Sequence, residues 1–404
     1  MNEPVIVASA RTPIGRAGKG CLRDVRADDL AAAAVSAALA KVPELDPAEL
    51  DDLVLGCGSP GGEQGWNLAR MVALLLGLDT LPGTTVTRHC ASSLQAARMA
   101  AHAIRAGEGD AFVVAGVEAA SRHRYGSAES SGDPNPLYAA AARRTAGHAE
   151  RGDFAWTDPR ALGERPDAYL TMIQTAEYVA RLRGVTREAM DAFALRSQLR
   201  AAEAAEAGFW AAEITPVPLP GGGVADRDDG PRTGVTLERL AALKPVLHPA
   251  GRITAGNACP VNDGAAALVM MSDRRARELG VPPLGRVVAT GLSALSPEVM
   301  GLGPVEAARQ ALRRAGMSVG DVDLVELNEA FAAQAIPCAD DLGVPPDRLN
   351  VHGGAIAMGH PPGMTGARLI GTLLHGLRDS GGAVGLVTMC VGGGQGMAAI
   401  VERL

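Results

Sequence analysis

The sequence predicts an α/β fold, a parallel sheet with helices on its faces, and three observations carry that prediction. Strand-like and helix-like segments alternate at both ends of the chain. The two ends repeat one another at a near-constant offset. The core formers are Ala, Val and Leu rather than rings, since 47% of residues are apolar but only 3% aromatic. A length of 404 residues fits two domains, or one large α/β unit with an insertion.

Taken in order, residues 5–8 read as a buried strand and 28–40 as an Ala-rich helix. Then follow a strand at 52–55, a helix at 67–76, a strand at 84–87, a helix at 92–106 and a strand at 111–115. Such alternation argues for parallel strands joined by helical crossovers. The last third does the same, with a helix at 305–315, a strand at 322–327, a Gly-rich loop, a helix at 366–377 and a strand at 383–389. Asp52-Leu-Val-Leu and Asp323-Leu-Val-Glu lie 323 − 52 = 271 apart, and the strands starting at Ala111 and Ala383 lie 383 − 111 = 272 apart. A duplicated α/β unit is expected. Between the halves, 121–165 is rich in Arg, Gly, Pro, Asp and Ser and reads as a long excursion. Residues 172–208 read as charged amphipathic helices ending near Gly208, and 219–234 as a Gly/Pro/Asp loop. An insertion of this kind is where substrate recognition is usually placed.

The net charge of −7 argues against a dedicated nucleic-acid or anionic-membrane surface, so an anionic ligand would need a local basic patch. No apolar run approaches the ~18 residues of a spanning helix, and the first residues show no signal-peptide pattern. Six cysteines, Cys21, Cys57, Cys90, Cys259, Cys338 and Cys390, are spread without a CxxC, against a disulfide framework or a zinc cluster and in keeping with a reducing cytoplasm.

Four segments could carry chemistry. His89-Cys90-Ala91-Ser92-Ser93 lies between a strand and a helix, where a helix N-terminus would favour a thiolate. His89 looks like a possible base for it, but neighbours on a strand point to opposite faces. His352 and His360 flank seven apolar or Gly residues in a loop where packing cannot explain a histidine. Since 360 − 90 = 270, His360 holds nearly the position in its half that Cys90 holds in the other. Two such corners facing each other would bring thiol and imidazole to one site. Met389-Cys390-Val391-Gly392-Gly393-Gly394 follows the last strand, leaving backbone N–H groups for an oxyanion. Asn328-Glu329-Ala330-Phe331 ends a strand, where open α/β sheets place their sites. Gly56-x-Gly58-x-x-Gly61 matches a dinucleotide fingerprint, but Pro60 and Gly62 make it turn-like rather than the start of a helix.

Together these segments resemble the thiolase family, the acetyl-CoA acetyltransferases and 3-ketoacyl-CoA thiolases. The resemblance runs from Val5-Ile-Val-Ala-Ser-Ala-Arg-Thr-Pro-Ile-Gly15 to Cys390-x-Gly-Gly-Gly-x-Gly396 and includes Thr254-Ala-Gly-Asn-Ala258, Asn328-Glu-Ala-Phe331 and Gly353-Gly-Ala-Ile-Ala-x-Gly-His360-Pro. It implies two βαβαβαββ halves in an α/β/α/β/α core, residues 1–120 with about 251–280 and residues 281–404, with a loop domain at 121–250. It implies reversible Claisen condensation and thiolysis: two acetyl-CoA to acetoacetyl-CoA and CoA, or 3-ketoacyl-CoA and CoA to acyl-CoA and acetyl-CoA.

In that reading Cys90 carries the acyl group and His360 takes its proton. Cys390 is the second acid/base, and a cysteine with a lowered pKa would suit that task. Asn328 holds a water that, with His360, stabilises the enolate oxygen, while the N–H groups of Cys90 and Gly392 form a second oxyanion hole. Met172, Arg232, Ala255 and Cys259 would line the CoA groove, with Ala330 and Phe331 nearer the thioester. CoA is a co-substrate, with no metal or other cofactor implied, and the family is usually a homodimer or homotetramer. The expected setting is the cytoplasm, in fatty-acid metabolism such as β-oxidation or in acetoacetyl-CoA synthesis.

The chain departs from the family pattern at Cys259 (usually Ser), Pro260 (usually Gly), Thr171 (often His) and His352 (commonly Asn), the last able to alter the pocket. The run Ala115-Gly-Val-Glu118 is one residue short, and the loop that shapes the acyl pocket departs most. Two other readings are a ketoacyl-synthase-like condensing enzyme, which lacks a counterpart of Cys390, and a non-catalytic CoA-binding partner, against which the complete residue set argues.

Overall fold

The computed structural model describes residues 2–123 and 134–404. Nine strands build the main sheet: β1 (Pro4–Arg11), β2 (Asp52–Cys57), β3 (Gly83–Val86), β4 (Ala111–Ala119), β5 (Asn262–Ser272), β6 (Gly285–Ala294), β7 (Leu324–Leu327), β8 (Val384–Val391) and β9 (Gln395–Arg403). Their order is β7-β8-β9-β6-β1-β5-β4-β2-β3, and the two-residue strand Gly15–Arg16 pairs with β5.

The sheet is mixed, not parallel. β2–β3, β2–β4 and β7–β8 pair parallel, whereas β4–β5, β5–β1, β8–β9 and β9–β6 pair antiparallel. The expectation of a parallel sheet came from β-α-β alternation. The antiparallel strands β5 and β9 are buried through most of their length and show little alternation to mark them, while β6 is buried along half of its length. Numbered within its own half, each half has the strand order 3-2-4-5-1. In the second half strand 3 shrinks to one parallel bridge between Val325 and Leu349. The halves meet where β1 pairs β6 over two residues, Val5 with Arg286 and Ile6 with Gly285.

The duplication extends to hydrogen bonds and corrects the sequence register by one residue. Asp51 Oδ2 accepts from the N–H groups of Asp110 and Ala111 at 2.7 and 2.9 Å. Asp323 Oδ2 accepts from those of Ala383 and Val384 at the same two distances. Asp51, not Asp52, is therefore the counterpart of Asp323, and both clamp the start of the neighbouring parallel strand.

The helices of seven or more described residues are α1 (Ala27–Leu39), α2 (Leu68–Leu75), α3 (Ser92–Ala106), α4 (Ala139–Arg151), α5 (Met172–Leu182), α6 (Arg187–Glu206), α7 (Asp273–Leu279), α8 (Gly303–Ala315), α9 (Ala332–Leu342) and α10 (Pro362–Ser380). Alternate residues of a strand serve different layers. Leu53 and Leu55 of β2 pack with α1 and α2, whereas Val54 joins α3 and α10. The far face of the second half packs with α8 and α9. The order α/β/α/β/α follows, with α3 and α10 in the middle. Helix α4 lies inside the expected excursion: its Ala/Arg-rich sequence buries only Ala141 and Thr145, too little to show a periodic apolar face. Residues 124–133 of that segment lie outside the described residues.

Helix α10 begins at Pro362, four residues before the expected Gly366, because Pro at a first helical position needs no N–H partner. It is buried through Leu377, and glycines let it approach its neighbours. A Cβ on Gly363 would stand 2.0 Å from Val117 O. Gly363→Ala is therefore expected to destabilise the fold by about 3 kcal/mol, read as a lower midpoint in chemical denaturation. An unchanged midpoint would contradict this packing.

Candidate active site

The site lies at the N-terminal ends of the two central helices. Cys90 stands two residues before α3 and His360 two before α10, so the pseudo-symmetry expected from the sequence is present. The turn His89–Ala91 precedes α3, with His89 at φ +42°. His89 thus leaves the backbone at a turn, not on a strand, and it is exposed. Ser92 holds the turn: its Oγ donates to His89 O at 2.6 Å and accepts from Arg88 N–H at 2.9 Å.

Cys90 is partly accessible yet enclosed by protein atoms. Burial pushes its thiol up to about 11, against N–H groups of Gly392 and of Cys90 itself, with the Glu118 carboxylate adding to the rise. The helix N-terminus therefore does not make a resting thiolate, correcting the expectation from sequence: desolvation outweighs it. Cys390, fully buried at the end of β8, is pushed well above its ordinary value by burial and by Cys90, Cys338 and Cys259. A lowered Cys390 pKa is also corrected.

His360 is buried, and its Nδ1 lies 2.7 Å from Thr365 Oγ1. Thr365 donates its own hydroxyl proton to Pro361 O at 2.8 Å, so it accepts from Nδ1–H. The bare Nε2 faces Asn328 Nδ2 at 3.4 Å, with tautomer and amide orientation assigned from this network. Burial, then Arg368, holds His360 down to about 3, so it is an uncharged proton acceptor. Its N–H donates to Asn262 Oδ1 at 3.0 Å. Asn328 continues the ladder of β7 through N–H to Thr388 O at 3.0 Å, and its buried Oδ1 has no hydrogen-bond partner among the described residues.

Glu118 ties the loop after β2 to the start of α10. Its Oε2 accepts from Gly58 N–H at 2.9 Å and Gly363 N–H at 3.0 Å, while Oε1 accepts from Gln64 Nε2. Glu329 is likewise buried, accepting from Ser197 Oγ, Asn350 Nδ2 and Ile356 N–H, and so pins the segment leading to His360.

The expected CoA residues fall into three groups. Arg232 and Ala255 share a groove of about 190 Å³ with Arg16, Arg239, Gln198 and Pro260. Cys259 donates its N–H to Ala330 O at 3.0 Å, and Ala258 bridges Phe331, which places Cys259, Ala330 and Phe331 together. Met172 opens α5, is 37% exposed, and does not line the groove. Thr171 caps that helix by accepting from Gln174 N–H. His352 stacks on Phe209 with centroids 3.7 Å apart, so the expectation that it alters the pocket gives way to a packing role. Sequence reasoning missed Arg16, one residue beyond the quoted N-terminal motif. It also missed Thr365 and Asn262, which have no motif of their own.

A family model described as the thiolase N-terminal domain matches residues 4–274, and the thiolase C-terminal domain matches 281–403. The chain belongs to the thiolase family. It is 45% identical over 413 residues to a β-ketoadipyl-CoA thiolase of Pseudomonas aeruginosa, covering 100% of both chains. It is 42% identical to a 3-ketoacyl-CoA thiolase of Saccharophagus degradans, covering 100% of this chain and 98% of that one. Among solved structures it resembles the Bacillus anthracis acetyl-CoA acetyltransferase, with TM-score 0.87, 35% identity and coverage of 100% and 99%. Human mitochondrial 3-ketoacyl-CoA thiolase is similar at TM-score 0.85 and 34% identity. These findings make the protein a thiolase, an acyltransferase acting on CoA thioesters.

Proposed function

We propose that this thiolase cleaves 3-ketoacyl-CoA with CoA through an acyl group carried on Cys90. The observation that carries the reading is the uncharged His360, with Nε2 bare beside Asn328 at the corner that matches Cys90. A thiol pushed up to about 11 needs such a base when substrate arrives. The thiolate attacks the ketone carbon, the carbon–carbon bond breaks, and the electron pair passes to the departing acetyl-CoA enolate. Asn328 Oδ1, with no partner among the described residues, holds a water beside His360 at the enolate oxygen. Cys390, a neutral thiol, delivers the proton to the enolate carbon and then takes one from incoming CoA, whose thiolate attacks the acyl carbon; the Cys90–acyl bond breaks, acyl-CoA leaves, and Cys90 regains its proton from His360. N–H groups of Cys90 and Gly392 face the acyl oxygen.

The adenine-nucleotide end of CoA is anionic, and Arg232, Arg16 and Arg239 supply a cationic groove on an acidic protein. Arg232→Ala is expected to raise the KM for CoA about tenfold with kcat nearly unchanged; an unmoved KM would remove Arg232 from the groove's function. Asn328→Ala is expected to lower kcat about 10²–10³-fold while Cys90 still acylates. A kcat within twofold of wild type would contradict its role.

We place the protein in the cytoplasm, where its six free cysteines suit a reducing setting. The chain supplies nucleophile, base, acid and oxyanion donors, so CoA is needed only as co-substrate. Strand β3 ends the sheet with no further pairing strand among the described residues. Nearby, Trp66 is 89% exposed and Leu75 55%. An open edge beside apolar surface supports a homodimer formed across β3. The substrate is a 3-ketoacyl thioester of fatty-acid breakdown or, as the names of several relatives suggest, the carboxylated β-ketoadipyl-CoA. Comparing CoA-dependent loss of acetoacetyl-, longer 3-ketoacyl- and β-ketoadipyl-CoA tests this. No turnover of any of them would overturn the proposal.

A further inference from the structure

Behind the site lies a second link between the two elements that carry Asn328 and His360. Glu326 sits two residues before Asn328 on β7, hence on the same face of the strand. Arg368 sits on α10, eight residues after His360. Their side chains are 4% and 1% exposed, and Arg368 Nη1 lies 3.6 Å from Glu326 Oε2. That is within ion-pair range but too long for a hydrogen bond.

The surrounding polar atoms are also unmatched. Among the described residues, Arg368 Nη1 and Nη2, Glu326 Oε2 and Thr372 Oγ1 are buried without a hydrogen-bond partner, as are Glu213 Oε1 and His375 Nδ1, which face each other at 3.6 Å. So many unmatched groups in one place would be costly in a dry core. A cavity of about 10 Å³, the size of one water, lies between Arg368 and Glu213 and is lined also by Ser9, Arg11 and Gly371, but not by Glu326.

We propose that Arg368 and Glu326, a buried pair whose unmatched polar atoms are completed by water, are positioning residues that lock α10 to β7 and set the charge behind His360. The inference rests on the reading of His360 as the base for Cys90. The charges facing the pair are Glu213 after the turn Phe209–Ala212, Glu329 beyond β7, Arg11 from β1 with its partner Asp228, and His375 on α10 itself, while burial, then Glu213 and Glu329, push Glu326 up to about 8 against Arg368. Arg11 is already occupied, with its Nη1 and Nη2 on Asp228 at 2.8 and 2.9 Å and its Nε on Glu213. Arg368 is therefore the cation left to act on His360, and it opposes a proton there, as the direction of the His360 shift shows. Without that charge, His360 would hold a proton more readily and the Cys90 thiolate would form at lower pH.

The test is the pH dependence of Cys90 alkylation by iodoacetamide in the full-length protein, which needs no CoA substrate. In Arg368→Gln the rising limb is expected to move about one unit lower, a tenfold faster reaction at fixed pH on that limb. In Arg368→Lys, which keeps the charge, the limb stays near wild type, while kcat falls in both variants. A limb that does not move in Arg368→Gln overturns the proposal whatever happens to rate or stability. Should that variant not fold, a crystal structure of the wild-type protein decides. Ordered water on the unmatched N–H groups of Arg368 is expected, and a guanidinium with no water on it overturns the proposal. Loss of thiolysis in wild type with alkylation behaving as described would instead count against the proposed function alone.

Discussion

Cys90→Ala is expected to lose thiolysis by about 10⁴-fold or more while keeping its fold and its affinity for CoA. The side chain touches no structural network: the turn around it is held by Ser92, and the helix behind it by packing of Leu94, Ala97 and Ile104 in the central layer. Cys390 cannot stand in for it. Its thiol is fully buried and pushed well above its ordinary value, and it lies at the end of β8 with no base of its own. Measured kcat within tenfold of wild type would show that the acyl group travels elsewhere.

His360→Ala is expected to lower kcat by about 10²–10⁴-fold. Removing the imidazole leaves a thiol held near 11 with no acceptor for its proton. The pH behaviour separates this role from a structural one. His360 is lowered to about 3, so the wild-type base stays uncharged far below the pH of about 6.5 at which an ordinary histidine protonates. Wild-type kcat/KM should therefore show no loss attributable to histidine between about pH 6.5 and 5. Stability carries the opposite signature. The unfolded chain binds a proton at this histidine below about 6.5 while the native state does not until about 3. Native stability contributed by the neutral imidazole is thus lost as pH falls through that window. The His360→Ala variant should lose stability less steeply there. A common slope in both proteins would mean that His360 is not held neutral.

Much of this was legible in the sequence, and the reasons differ by residue. Cys90 and His360 could be paired because a duplicated unit repeats its corners at a fixed offset, and the offset of 270 is also that between the starts of α3 and α10, 362 − 92. Helix α3 matches its expected bounds because Gly107, at φ +78°, stops it sharply. Strands β5 and β9 were harder to see: they are buried through most of their length, so no alternation marks them, and their antiparallel pairing, like that of β6, depends on partners far away in the chain. Both cysteine pKa expectations failed for one reason. Helix ends and glycine loops can be read locally, whereas desolvation depends on layers brought together only by folding. Glu118 shows the same limit. Its carboxylate joins Gly58 to Gly363, 245 residues after it in the chain, and nothing in the sequence beside it announces that link.

The central claim is that Cys90 carries the acyl group. Mass spectrometry of peptides from the protein incubated with acetyl-CoA, then with added CoA, tests it most directly. One acetyl group on the peptide holding Cys90, lost when CoA is added, is the predicted result. No adduct, or an adduct on Cys259 or Cys390 that survives in Cys90→Ala, would contradict it.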